Sequence, residues 1–380
     1  MNTNPLSLSV PEIIRDKGYV CEEHLLVTSD DFEIQLFRIP HGVTTKKGGP
    51  PVLLSHGVID AAGSWVTNLP HQSLSYILAD AGYDVWLGNS RGNKFTKRIH
   101  TGAYNASHDW NFSFDQQAKH DVPETVDFIL EKTGYQSLSI VGHSQGCTQT
   151  FAAFYFQKDL AKKINFFFAL APALYFKHNT CTLLSLVSNL RVAELLDTLG
   201  VHRFMPVTKE ELEGICLAFA SSPKDADYLL GLLMGSNPGE LNYERFGVMV
   251  HNFLGMTSVQ NMVHWAQMVR HNGFRLYSYH FGNAIKYGHP DPPRYDISGN
   301  YPKEVPIAIW YGGADLMVNP KDAEKIIADL PVPPVFTKMI PEYSHVDFHL
   351  GTTAHEKIYV DLLRLLKDRV PVPMTEEASE

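Results

Sequence analysis

Ser137-Leu-Ser-Ile-Val-Gly-His-Ser-Gln-Gly146, continued by Cys147 to Phe156, reads as strand, sharp turn and helix. Leu138 to Val141 is a short buried strand, Gly142-His143-Ser144-Gln145-Gly146 is the turn, and Cys147 to Phe156 is an apolar helix. A turn of this kind lifts a serine hydroxyl above the end of a sheet. Its backbone is strained, so the flanking chain passes close to the serine. Gly142 and Gly146 have no Cβ to clash there. The helix starting just after Ser144 points its positive end at any oxyanion formed beside the serine. The five turn letters alone arise by chance in roughly one chain in ten of this length. The apolar strand before them and the apolar helix after them make an ordinary Gly-flanked serine the weaker reading.

The 380 residues suffice for one large α/β domain with an insertion, or for two domains. Hydrophobic content of 44% and charged content of 19% fit a folded globular protein. With a net charge of −9 and only short basic clusters such as Lys94, Lys97 and Arg98, no nucleic-acid partner is expected. The longest apolar run, Phe166 to Phe176, is short and holds Pro172, so no transmembrane segment is expected. The first twenty residues carry Pro5, Glu12, Arg15, Asp16 and Lys17 and show no secretory signal. That fits either an intracellular protein or a mature form whose signal has been removed. Cys21, Cys147, Cys181 and Cys216 are too few and too scattered for a disulfide framework or a zinc site. Asn105-Ala-Ser and Asn111-Phe-Ser are glycosylation sequons.

Val20 to Val27 and Phe32 to Ile39 read as a hairpin around Ser29-Asp30-Asp31, followed by a loop at Lys46 to Pro50. Val52 to Ser55 is a buried strand, and His56-Gly57-Val58 after it is either an oxyanion-binding turn or a plain one. Gln72 to Ala81 is a helix, Tyr83 to Leu87 a strand, Gly88 to Gly92 a loop, Phe114 to Thr133 a helix and Asn165 to Leu170 a strand. This alternation predicts a mostly parallel central sheet with helices on both faces, its first part spanning 1–173. The rhythm breaks over 174–303, which reads as an inserted, mainly helical cap. Its stripes, such as Leu183, Leu186, Val187 and Leu190, then Leu195, Leu196 and Leu199, then Leu229 to Met234, serve either as cap core or as cover for a greasy substrate. The α/β core resumes over 304–370. Val305 to Tyr311 is a strand ending in Gly312-Gly-Ala-Asp315, Pro320 to Leu330 a helix and Pro334 to Ile340 the last strand. The loop after that strand carries His345, Ala354 to Asp368 closes the fold, and 371–380 is expected to fray.

Ser144, Asp315 and His345 each follow a strand, in the chain order nucleophile, acid, base. In that reading His345 takes the Ser144 proton and returns it to a leaving alcohol, while Asp315 fixes the imidazole tautomer. The amides of Val58 and Gln145 would bind the oxyanion. Among 18 histidines, His345 is singled out by its place after the last strand. His143 is expected to point away as a structural residue. Asp347 is a rival acid, but lies too near His345 in sequence to orient it easily. Cys147 reads as a small buried residue.

Asn68-Leu-Pro, the run Ile77 to Asn93, Phe112-Ser-Phe-Asp115, Gly142 to Gly146, Ala169-Leu-Ala-Pro172, Thr257 to Asn261 with His264-Trp265, and Ser344 to Phe348 together resemble the acid lipase family, which includes gastric and lysosomal acid lipases. The similarity runs from the N-terminal hairpin to the last helix. It implies an α/β-hydrolase fold and hydrolysis of triacylglycerols or cholesteryl esters at a lipid–water interface. It also implies no cofactor, a lid within the cap at about 177–245, and a secreted or lysosomal setting. The family's triad falls on Ser144, Asp315 and His345, and its oxyanion amides on Val58 and Gln145. Activity in acid, also implied, requires a neutral His345, which burial favours and the Asp315 charge opposes. The chain departs from the family pattern at Val58, usually Leu, and at Cys147, usually Thr. Cys216 keeps one half of a frequent cap disulfide whose other half is missing. Two other readings remain open: a small-molecule esterase or thioesterase on the same fold, and a catalytically silent lipid-binding protein.

Overall fold

The apolar runs of the sequence line up side by side in one sheet. The computed structural model describes residues 8–45, 48–99, 106–205, 209–235 and 237–373. Its main strands are β1 (Glu22–Val27), β2 (Phe32–Ile39), β3 (Pro51–Ser55), β4 (Asp84–Leu87), β5 (Thr96–Arg98), β6 (Leu138–His143) and β7 (Ile164–Leu170). A separate antiparallel pair, β8 (Arg203–Phe204) and β9 (Thr257–Ser258), precedes β10 (Ile307–Gly312) and β11 (Phe336–Ile340). The main sheet runs in the order β1-β2-β4-β3-β6-β7-β10-β11, with β5 beside β2. From β4 to β11 every pairing is parallel, whereas β1, β2 and β5 form antiparallel contacts.

Every residue of β3, β4 and β6 is buried, because helices cover both faces of a parallel sheet. Neighbours on a strand serve opposite cores. Ile140 packs with Val126, Ile129, Phe151 and Phe167, while Val141 packs with Phe168, Trp310, Phe348 and Tyr359.

Several features depart from the sequence reading. A helix at Val10–Asp16 was not expected, although Ser9 and Glu12 form a capping box with Pro11 in the first turn. Thr96–Arg98 adds a short strand. The helix read across Phe114 to Thr133 is interrupted by a π-helical turn at Gln117–Asp121, just before Pro123.

Helices between β7 and β10 occupy the segment read as a cap, and they divide by packing. Trp265, Met268, Tyr295 and Tyr301 join the same core as Ile140. Cys216, Ala226, Phe246 and Val250 form a separate cluster against Val346 and Leu350. The stripes are split: Leu196 packs on Ala193, Val259 and Val263, and Leu230 and Met234 pack on the cluster of Cys216 and Phe246, whereas Leu190, Leu195, Leu199 and Leu229 are exposed; the side chains of Leu183 and Leu233 lie outside the described residues. No described helix is long and apolar enough to cross a membrane. In the tail, Pro373 bridges Tyr135 and the Gln136 amide donates to the Val372 carbonyl at 3.2 Å. Residues 374–380 and Asn105 lie outside the described residues, and Asn111 is exposed.

Candidate active site

The strand-to-helix turn is as tight as its glycines require. Ser144 has φ 52° and ψ −115°, a conformation that L residues rarely adopt. A Cβ on Gly142 would lie 2.9 Å from the Cys147 nitrogen, and one on Gly146 only 2.4 Å from the Ser55 carbonyl oxygen. Gly146→Ala must therefore push β3 away from the turn. The expected loss is about 2–3 kcal/mol of stability, read from the urea midpoint; an unchanged midpoint would contradict the packing described.

The serine, acid and base read from the sequence meet here. Ser144 Oγ and His345 Nε2 are 2.8 Å apart, and His345 Nδ1 and Asp315 Oδ2 are 2.7 Å apart. All three are buried. Asp315 can only accept, so Nδ1 donates to it and Nε2 is left to accept the serine O–H. The other Asp315 oxygen accepts from the amides of Met317 and Val318, both at 2.8 Å. Asp347 is engaged elsewhere, its Oδ2 accepting from the Ser344 amide at 2.6 Å and the Asn237 side chain at 3.0 Å. Cys147 is fully buried, a free thiol donating to the Gly142 carbonyl, and burial pushes its pKa up. Cys216 is also free.

Gln145 opens the helix Gln145–Phe156, so its amide has no partner four residues back. Its side chain is pinned: Oε1 accepts from Trp265 Nε1 at 2.7 Å and Asn261 Nδ2 at 2.9 Å, and Nε2 donates to Gln117 Oε1 at 3.0 Å. Gln117 sits in the π turn and reaches the Arg91 carbonyl at 3.4 Å. Arg91, itself buried, clamps Asp30 and Asp121. On the other side of Ser144, Val58 is half-buried in a loop whose next residue, Ile59, has φ 50°. A β-branched residue held at positive φ is a genuine outlier, and the Ile59 carbonyl is tied to the Gly255 amide at 2.9 Å.

The sequence reading missed Gln117, Asn261 and Trp265, which fix Gln145, the residue after Ser144. It also missed Met234. The carbonyl of Met234, at the end of the helix Pro223–Met234, accepts from the amides of both Leu316 and His345, so this helix holds the loops bearing Asp315 and His345 together. Asn261 and Trp265 lie in a stretch that carried the family resemblance, but a linear motif does not say what it touches.

His143 does not point away as expected: it lines the same cavity as Ser144 and His345, and its contact there is structural, its Nε2 donating to the His345 carbonyl at 2.8 Å. Burial and neighbouring histidines push its pKa well below the ordinary value. Burial likewise pushes His349 down to about 3 and His56 to about 4. For His56 the folded pKa lies below the unfolded value of about 6.5, so its contribution to stability is present above 6.5 and lost as pH falls toward 4. The unfolding free energy of wild type relative to His56→Gln is therefore expected to fall across that window in urea titrations. A pH-independent difference would contradict a neutral buried His56.

Beside Ser144 and His345 lies a cavity of about 270 Å³ lined by Val58, Ile59, Leu184, Met234, Phe253 and Met317. Apart from Ser144, His345, His143 and Asp60, its wall is almost wholly apolar.

Two family models match. One described as alpha/beta hydrolase fold covers residues 50–352, and one described as a partial alpha/beta-hydrolase lipase region covers residues 10–69. The chain is 40% identical over 394 residues to human lipase member K, with 97% of this chain and 93% of the relative covered. It is 37% identical to the rat lysosomal acid lipase/cholesteryl ester hydrolase, covering 95% and 91%, and 36% identical to the rat gastric triacylglycerol lipase, covering 95% and 92%. Among solved structures, a soluble variant of the Saccharomyces cerevisiae monoglyceride lipase superposes with a TM-score of 0.54 at 19% identity, covering 91% of this chain and 97% of that one. This last likeness speaks for the fold alone.

Proposed function

As a member of the acid lipase family of α/β hydrolases, the chain hydrolyses carboxylic esters of lipids, and we propose that it does so through an acyl-enzyme on Ser144. As Ser144 Oγ attacks the ester carbonyl carbon, His345 Nε2 takes the hydroxyl proton. The carbonyl oxygen becomes an oxyanion facing the amides of Val58 and Gln145. Collapse breaks the ester C–O bond, and the imidazolium returns its proton to the departing alcohol. Water then attacks the acyl-enzyme with His345 again as base, which releases the fatty acid and restores Ser144. Asp315 keeps the imidazole in the productive tautomer throughout.

The observation that supports this reading is the continuous line from Ser144 Oγ through His345 to Asp315, at 2.8 and 2.7 Å, opening on an apolar cavity. The substrate class is triacylglycerol or cholesteryl ester, met at a lipid–water interface, and the setting is secreted or lysosomal. The exposed leucines at 190, 195, 199 and 229 suit the lipid surface. Rates on short and long acyl p-nitrophenyl esters, with and without micelles, test this. Each buried methylene contributes about 0.8 kcal/mol, so kcat/KM on dispersed long-chain esters should exceed that on the acetate at least about tenfold. Equal rates, or a preference for acetate, would favour a small-molecule esterase.

A further inference from the structure

Asp60, His143 and His349 come from three separate segments and bring their ligand atoms to within 4.8 Å of one another. Asp60 follows β3, His143 ends β6, and His349 lies in the short helix Asp347–Leu350 beyond the base. Their exposures are 1, 3 and 2%. Protein groups answer the imidazole nitrogens of this cluster poorly. Nδ1 of His143 and both ring nitrogens of His349 have no hydrogen-bond partner among the described residues. His349 Nε2 stands 3.7 Å from Asp60 Oδ2, too far for a hydrogen bond. An unanswered buried polar atom is costly, so such a cluster favours a ligand that satisfies several at once.

We propose that Asp60, His143 and His349 form a binding site for a divalent first-row transition cation of the zinc class. Two imidazoles and a carboxylate are the donors such cations take, whereas calcium and magnesium prefer oxygen alone. His143 is already prepared for this role. Its Nε2–H donates to the His345 carbonyl at 2.8 Å, which leaves Nδ1 as a lone pair aimed into the cluster. A ligating histidine usually holds its outer N–H in this way. The Asp60 carboxylate is oriented by the Ala61 amide at 2.6 Å and the Gly57 amide at 3.2 Å. Asp60 and His143 both line the cavity over Ser144, which supplies an entry path and room for a water as fourth ligand. A bound cation would tie together the loop bearing Val58, the turn bearing Ser144 and the loop bearing His345. No cysteine takes part, so cysteine spacing carries no sign of the site.

The test uses the full chain without a histidine tag, dialysed against EDTA and then titrated with Zn2+ or Co2+. The site requires about one equivalent of Zn2+ retained after gel filtration, measured by mass spectrometry of the metal, with a raised melting temperature. Co2+ should give a visible d–d band, and X-ray absorption of the zinc form should show imidazole in the first shell. His349→Asn and Asp60→Asn, each checked by circular dichroism, should lose retention at least about tenfold. Failure of the wild type to retain zinc, or a zinc shell without imidazole, would overturn the proposal whatever the variants do. So would folded variants that retain as much zinc as the wild type.

Discussion

Ser144→Ala is expected to lower ester hydrolysis on the order of 10⁶-fold, because members of a nucleophile–base–acid unit fail together when one is removed. The fold should survive. Ser144 Oγ makes its hydrogen bond to His345, while the turn itself is set by Gly142, Gly146 and the Ser144 amide, which donates to the Leu170 carbonyl at 3.0 Å. An unfolding midpoint near that of the wild type, together with loss of turnover on a dispersed ester, is the expected pair of results. Retention of more than a few per cent of activity would mean that another residue attacks the ester.

Asp315→Asn is expected to cost on the order of 10⁴ in kcat. The reason lies in how Asp315 is held. One oxygen faces two amide donors, from Met317 and Val318, so the introduced side-chain oxygen must take that place. The new NH2 is thereby turned toward His345 Nδ1, at the position where Oδ2 now accepts. Two donors cannot face each other, so the imidazole moves its proton to Nε2 and can no longer receive the serine proton. Asp347→Asn should do far less to the rate, because Asp347 serves the Ser344 amide and the Asn237 side chain and makes no bond to the imidazole. Should Asp347→Asn prove the more damaging change, the acid has been misassigned.

Much of this site was legible because its parts sit where strands end. Ser144 and Asp315 follow apolar runs buried on both faces, the clearest signal a sequence carries, while His345 follows the half-exposed edge strand Phe336–Ile340. The clash distances at Gly142 and Gly146 bear out the reason given for glycine there. The supporting contacts were hidden because they link segments far apart in the chain. Gln145 is held by Gln117, Asn261 and Trp265, up to 120 residues away. Met234 joins the acid and base loops through a backbone carbonyl, which no residue type announces. The break in the helix before Pro123 could have been read, since proline removes a helical hydrogen bond. The helix Val10–Asp16 could have been found from Ser9 and Glu12 at capping-box spacing. In the cap, apolar stripes do not reveal which side they face. Trp265 turned toward the main core, and Leu190 toward solvent.

The central claim is that Ser144 is a nucleophile activated by His345. A fluorophosphonate tests it most directly, since it phosphorylates only a serine whose proton is being removed. Incubation of the full chain with the probe, followed by peptide mass spectrometry, should give one adduct per chain, on Ser144. Labelling should parallel the loss of esterase activity and should be lost in His345→Ala. An unlabelled Ser144 in active protein, or an adduct on a different serine, would contradict the account.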